Sequence, residues 1–129
     1  MPATSAAAAA YKVNLAFFEA LGAEGVALAA QIRRKVPAAI PLIIDVKRGD
    51  IGSTIEAHDR ALYELLEADA VTASPYLGLG ALAPLFARER GFTYLLCRTS
   101  NPESTELQEL RVSGDSHPDE ALYLRVARL

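Results

Sequence analysis

The densest group of chemically capable side chains is the run Asp45-Val46-Lys47-Arg48-Gly49-Asp50-Ile51-Gly52-Ser53-Thr54. Residues two apart on a strand share a face, so Asp45 and Lys47 point one way, and Ile44 and Val46 the other. Two opposite charges on an inward face are hard to explain as packing, because such a pair is tolerable there only with further partners. They suit a ligand-binding site at the end of a strand. Asp50 adds a second carboxylate at the start of a loop whose Gly49 and Gly52 permit tight backbone. The bland alternative is a salt bridge that merely ends a strand.

The elements that must position this cluster are legible as alternating apolar runs and amphipathic stretches. Residues 42–47 follow Pro41 and read as a strand buried on both faces until its last three positions; residues 69–74 and 92–98 read the same way, and Tyr11 to Leu15 is a fourth candidate. Between the later strands lie amphipathic stretches long enough for crossover helices, so the order is β-α-β-α-β-α-β-α, an α/β class with a parallel sheet. Ser53-Thr-Ile-Glu56 matches a capping box and predicts a helix starting near Ser53, with Ile55, Leu62, Leu65 and Leu66 toward the sheet. Glu24 to Lys35 reads as a helix ending on Arg33, Arg34 and Lys35 and closed by Pro37. Pro118 reads as the first residue of a last helix, with Asp119 and Glu120 in its first turn. In parallel sheets ligands bind at the C-terminal ends of strands, which is where the charge cluster falls.

Composition limits the functions open to these elements. The chain has 129 residues, enough for one domain spanning 1–129, with residues 1–8 expected to be irregular. Its 13 basic and 16 acidic residues leave a net charge of −3, against a nucleic-acid binder. No apolar run approaches the roughly 18 residues of a membrane span, and the start lacks the basic region of a secretory signal. A single cysteine, Cys97, allows neither an internal disulfide nor a zinc site and fits a reducing, cytoplasmic setting; it reads as a small core residue. His58 reads as a packed helix histidine, and His117 as part of a polar loop. Four βα units are about half of a (β/α)₈ barrel. On pattern alone the chain is therefore either a small open sheet or part of such a barrel.

The run Asp45-x-Lys47-x-x-Asp50-Ile51-x-x-Thr54 resembles the signature of the orotidine 5′-monophosphate decarboxylase family. Three further segments agree in order: Lys12-Val-Asn14-Leu-Ala-Phe-Phe-Glu-Ala-Leu-Gly22, Asp69-Ala-Val-Thr-Ala-Ser-Pro-Tyr-Leu-Gly78 and Leu96-Cys-Arg-Thr-Ser-Asn-Pro102. The similarity runs from about residue 9 to 129 and is to the longer-chain bacterial branch, which also resembles the decarboxylase half of fused pyrimidine enzymes. It implies strands two to five of a TIM-type (β/α)₈ barrel, and conversion of orotidine 5′-monophosphate to uridine 5′-monophosphate and CO₂ in pyrimidine biosynthesis. By resemblance Lys47 gives the proton to C6, Asp45 orients it, and Asp50 lies near the substrate carboxylate, reaching across a homodimer interface with Ile51 and Thr54. Lys12 completes the charge row, Ser100 bonds the pyrimidine, and no metal or organic cofactor is implied. Gly80, where the family usually has Asp, reads as the N-cap of the fourth helix. The family's ribose-binding Asp and its phosphate grip have no counterpart in the 129 residues. Two alternatives stay open: another phosphosugar decarboxylase of the same superfamily, or an inactive half barrel that acts only in interactions.

Overall fold

A computed structural model describes residues 3–89, 91–114 and 117–129. Four strands form its main sheet in the order β1-β2-β3-β4: β1 (Tyr11–Asn14), β2 (Leu42–Arg48), β3 (Ala70–Ala73) and β4 (Phe92–Leu95). β1 pairs parallel with β2, and β2 parallel with β3. All four expected strands are present, although β4 stops at Leu95 and not at residue 98. The chain divides into two compact units, 1–94 and 95–129.

The first unit is organised by β2. Leu42 and Ile44 are almost fully buried and join Leu15, Ala29, Ile32, Leu62, Leu66 and Val71 in one apolar cluster, against which Val46 also packs. Burying each such side chain contributes about 1.5–3 kcal/mol. Arg33 holds the entrance to the strand. Its guanidinium donates to the carbonyls of Val36, Pro37 and Ile40 and pairs with Asp69 at 2.7 Å, while Asp69 accepts the Leu42 N–H. The helix expected over Glu24 to Lys35 accordingly ends early. α1 (Ala16–Glu19) and α2 (Gly22–Ala29) are helical, and Arg33–Lys35 forms a separate 3₁₀ turn because Arg33 is committed to the β2 entrance.

α3 (Gly52–Asp59) starts one residue before the capping-box expectation. Gly52 takes φ +55°, which turns the chain early, and Ile51 occupies the cap position without a side-chain bond. The helix continues as a π segment, Arg60–Leu65. Ile55, Leu62 and Leu66 are buried as expected, but Leu65 is 69% exposed. The wider π turn adds a residue and rotates Leu65 off the core face. His58 lines an apolar cavity of about 260 Å³ with Leu15, Val26, Ala30 and Leu62, in keeping with a packed histidine. Gly80 lies inside a 3₁₀ turn, and the cap of α4 (Ala83–Phe86) is Leu82, so Gly80 is not that helix's N-cap.

In the second unit α5 (Thr105–Gln108) precedes an antiparallel hairpin, β5 (Arg111–Gly114) and β6 (His117–Ala121), and then α6 (Leu122–Ala127). Pro118 therefore sits in a strand and the last helix begins at Leu122. Arg111 pairs with Asp119 across the hairpin, while Glu120 is buried and paired with Arg128. These cross-strand and ion-pair contacts outweigh the local helix-start signal. His117 lies in the same strand and not in a loop. Cys97 lies beyond β4, half-buried, and its thiol donates to the Tyr123 carbonyl at 3.0 Å.

Candidate active site

β2 leaves regular geometry where the charged residues begin. Ile44 is opposite Val71 and Arg48 is opposite Ala73, so four steps along β2 match two along β3. Within this bulge Lys47 adopts φ +49°, a left-handed conformation uncommon for a residue with a branched or long side chain. The simple alternation expected at Lys47 is thus interrupted. The Lys47 ammonium still meets Asp45, donating to Oδ1 at 2.5 Å. Past the bulge the chain runs close to β3: the Ser74 N–H donates to the Arg48 carbonyl at 2.7 Å, and a Cβ on Gly49 would lie 2.6 Å from the Ser74 carbonyl oxygen. Only glycine fits that approach.

Asp45 is 8% exposed and is the hub of the site. Its Oδ1 accepts from Lys47 and from the Thr72 hydroxyl at 2.9 Å, and its Oδ2 lies 3.5 Å from the Lys12 ammonium contributed by β1. The two lysines are far more open, at 61% for the Lys12 side chain and 48% for that of Lys47. Burial by itself raises the Asp45 carboxyl. The hydrogen bonds from Lys47 and Thr72 and the charges of Lys47 and Lys12 together outweigh it and hold the group below its ordinary 3.8. Asp45 is consequently a fixed anion, and the ammonium groups of both lysines lie beside it on side chains that are about half or more exposed. Such an arrangement can present positive charge to a substrate and deliver a proton.

The other expected residues are placed as follows. Asp50 is half-buried beyond the end of β2 and its Oδ1 accepts the Ile51 N–H at 2.8 Å. Ile51 is 62% exposed, and Thr54 is exposed in the first turn of α3. Ser100 is exposed in the loop after β4, in the second unit. The structure therefore brings Lys12, Asp45 and Lys47 together, and Asp50, Ile51 and Thr54 follow in the adjoining loop and the first turn of α3. Thr72 was not singled out from the sequence. Its signal was a hydroxyl in the apolar strand run Asp69 to Ser74, on the face opposite Val71. Among the described residues no three His, Cys, Asp or Glu side chains are grouped to hold a metal ion, and no helix is long and apolar enough to cross a membrane.

Comparison with known proteins gives concordant results. The model of the orotidine 5′-phosphate decarboxylase / HUMPS family matches residues 3–129. The chain is 49% identical to an orotidine 5′-phosphate decarboxylase of Roseiflexus sp. (strain RS-1) over 129 residues, covering all of the chain and 46% of that relative. A solved OMP decarboxylase of Leishmania donovani superposes on 92% of the chain and 45% of its own length, with 47% identity and a TM-score of 0.84. The UMP synthase of the same organism gives the same identity and TM-score over 25% of its length. The chain spans about half the length of the curated relatives it matches.

Proposed function

Because the chain belongs to the orotidine 5′-phosphate decarboxylase / HUMPS family, we propose that it supplies the catalytic charge row of an orotidine 5′-phosphate decarboxylase. Its sheet with flanking helices is part of the barrel of that family. The observation that carries the proposal is the Lys12–Asp45–Lys47 constellation on adjacent strands, in which Asp45 and Lys47 belong to the family signature and Lys12 to a second segment that resembles the family. The reaction is the loss of CO₂ from C6 of orotidine 5′-monophosphate, a carboxy-lyase step of pyrimidine synthesis. Decarboxylation leaves an electron pair on carbon. The Lys47 ammonium stabilises that charge as it forms and then transfers a proton to C6, yielding uridine 5′-monophosphate. A fixed ammonium answers the developing charge directly, so the step calls for no metal or organic cofactor.

Asp45 orients Lys47 through their hydrogen bond. Lys12 continues the row beside it. Asp50 faces the substrate carboxylate of a neighbouring subunit, carried there with Ile51 and Thr54 in the open loop before and into α3. That placement makes the working assembly a homodimer, and it is supported by the exposure of Ile51 and Thr54. Ser100 hydrogen-bonds the pyrimidine. The single free cysteine is in keeping with a cytoplasmic enzyme.

The test is to reconstitute the chain with the remaining strands from a full-length relative. The assembly is then offered orotidine 5′-monophosphate and, separately, a phosphorylated β-keto sugar acid. Consumption of the nucleotide alone supports the reading. Consumption of the sugar acid alone moves the chain to another phosphosugar decarboxylase of the superfamily.

A further inference from the structure

Thr72 on β3 has Val71 and Ala73 as fully buried neighbours and is itself half-buried. Its Oγ1 takes part in three hydrogen bonds. It accepts from the Val46 N–H at 3.0 Å and the Lys47 N–H at 2.9 Å, and it donates to Asp45 Oδ1 at 2.9 Å. A hydroxyl has two lone pairs and one proton, so its whole capacity is in use. With both lone pairs on backbone N–H groups, the proton is directed at the carboxylate. The two N–H groups belong to the bulge of β2, where the ladder to β3 is interrupted and Lys47 is left-handed. One side chain thus replaces the missing ladder bonds and contacts the buried anion of the charge row.

We propose that Thr72 is a positioning residue for the charge row, its hydroxyl fixing the β2 bulge that presents Lys47 and holding Asp45 beneath the ammonium. Its consequence for turnover rests on the decarboxylase reading, whereas the geometry stands without it. Thr72 acts through Asp45 and Lys47. The charged groups that face Asp45 are Lys12 from β1 and Lys47 from β2, and Thr72 is the uncharged donor from β3. Valine at 72 keeps the branched shape but leaves two N–H groups without an acceptor and Asp45 with one donor fewer. Serine keeps all three bonds.

The experiment is a nuclear magnetic resonance titration of the 129-residue chain, following the Asp45 side-chain carboxyl carbon and the Val46 and Lys47 amides. In Thr72→Val the Asp45 midpoint moves to higher pH and both amides lose exchange protection; Thr72→Ser behaves as the parent chain. An unmoved Asp45 midpoint in Thr72→Val overturns the proposal. So does a parent chain whose Val46 and Lys47 amides exchange as fast as those of open loops, a measurement that needs no variant to fold. In the reconstituted assembly Thr72→Val lowers kcat on the order of tenfold and leaves KM within about twofold. Unchanged kcat in an active assembly also overturns it. An inactive parent assembly, with the titration moving as expected, sinks the decarboxylase reading and leaves Thr72 in its role.

Discussion

An ammonium can be aimed at one carbon only if its backbone and its counter-ion are both fixed. Lys47 has both: a left-handed bulge residue held by its N–H on Thr72, and a carboxylate partner that is itself buried and triply held. Holding a residue in that sparsely populated region costs on the order of 1–3 kcal/mol, which surrounding structure has to offset. The Asp45 carboxyl lies below 3.8 in the folded chain. Its interactions therefore favour the folded state above the unfolded-chain value, and that contribution disappears as pH falls through the folded value. Asp45→Asn should flatten the loss of stability below about pH 4 in urea unfolding carried out across a pH series. An unchanged slope would show that Asp45 is not a held anion. The sequence grouped Asp45 with Lys47 by alternation and Lys12 with them by family resemblance, and the chain reaches that grouping through a bulge that interrupts the alternation at Lys47. The sequence did not reveal the bulge or Thr72, because a bulge is set by the pairing of β2 with β3 and not by β2 alone.

Elements follow their local signals where tertiary contacts agree with them and depart where stronger contacts intervene. β2 and β3 stand where apolar runs bounded by turn residues put them, because both faces of each are needed in the core. α3 shows the opposite case. Helical spacing assigns Leu62 and Leu65 to one buried face, whereas the π segment buries Leu62 at 3% exposure and turns Leu65 out. Leu62→Ala should cost about 2–5 kcal/mol and Leu65→Ala less than about 0.5 kcal/mol, read from chemical denaturation midpoints. Equal costs would restore the regular helix. Gly49 tests the join between β2 and the loop bearing Asp50. Gly49→Ala puts a methyl against the Ser74 carbonyl and should destabilise by roughly 1–3 kcal/mol, measured the same way. A neutral substitution would show that the two strand ends separate freely. The hairpin β5–β6 was invisible because Pro118, Asp119 and Glu120 imitate a helix start, whereas the strand is defined by its antiparallel pairing with β5 and the cross-strand Arg111–Asp119 pair.

At the scale of the whole molecule, the last strand in the sheet order, β4, carries Phe92 at 69% and Tyr94 at 51% exposure. Apolar side chains on an edge strand invite association. Sedimentation of the isolated chain should show concentration-dependent association, and Phe92→Lys with Tyr94→Lys should reduce it; a monomer at all concentrations would contradict this. The chain spans about half the length of the curated relatives it matches, and the family resemblance assigns no phosphate-gripping residue to it. Remote binding energy from a phosphate is what holds a substrate against opposing charge at the reacting centre, so the chain alone is expected to turn over little substrate. The central claim is that Lys47 delivers the proton at C6. It is tested by following the ultraviolet absorbance of orotidine 5′-monophosphate with the reconstituted assembly, comparing the parent chain with Lys47→Ala. The account predicts steady loss of substrate with the parent chain and no more than a trace with Lys47→Ala, both chains giving the same circular dichroism. Turnover by Lys47→Ala within about tenfold of the parent rate would contradict it.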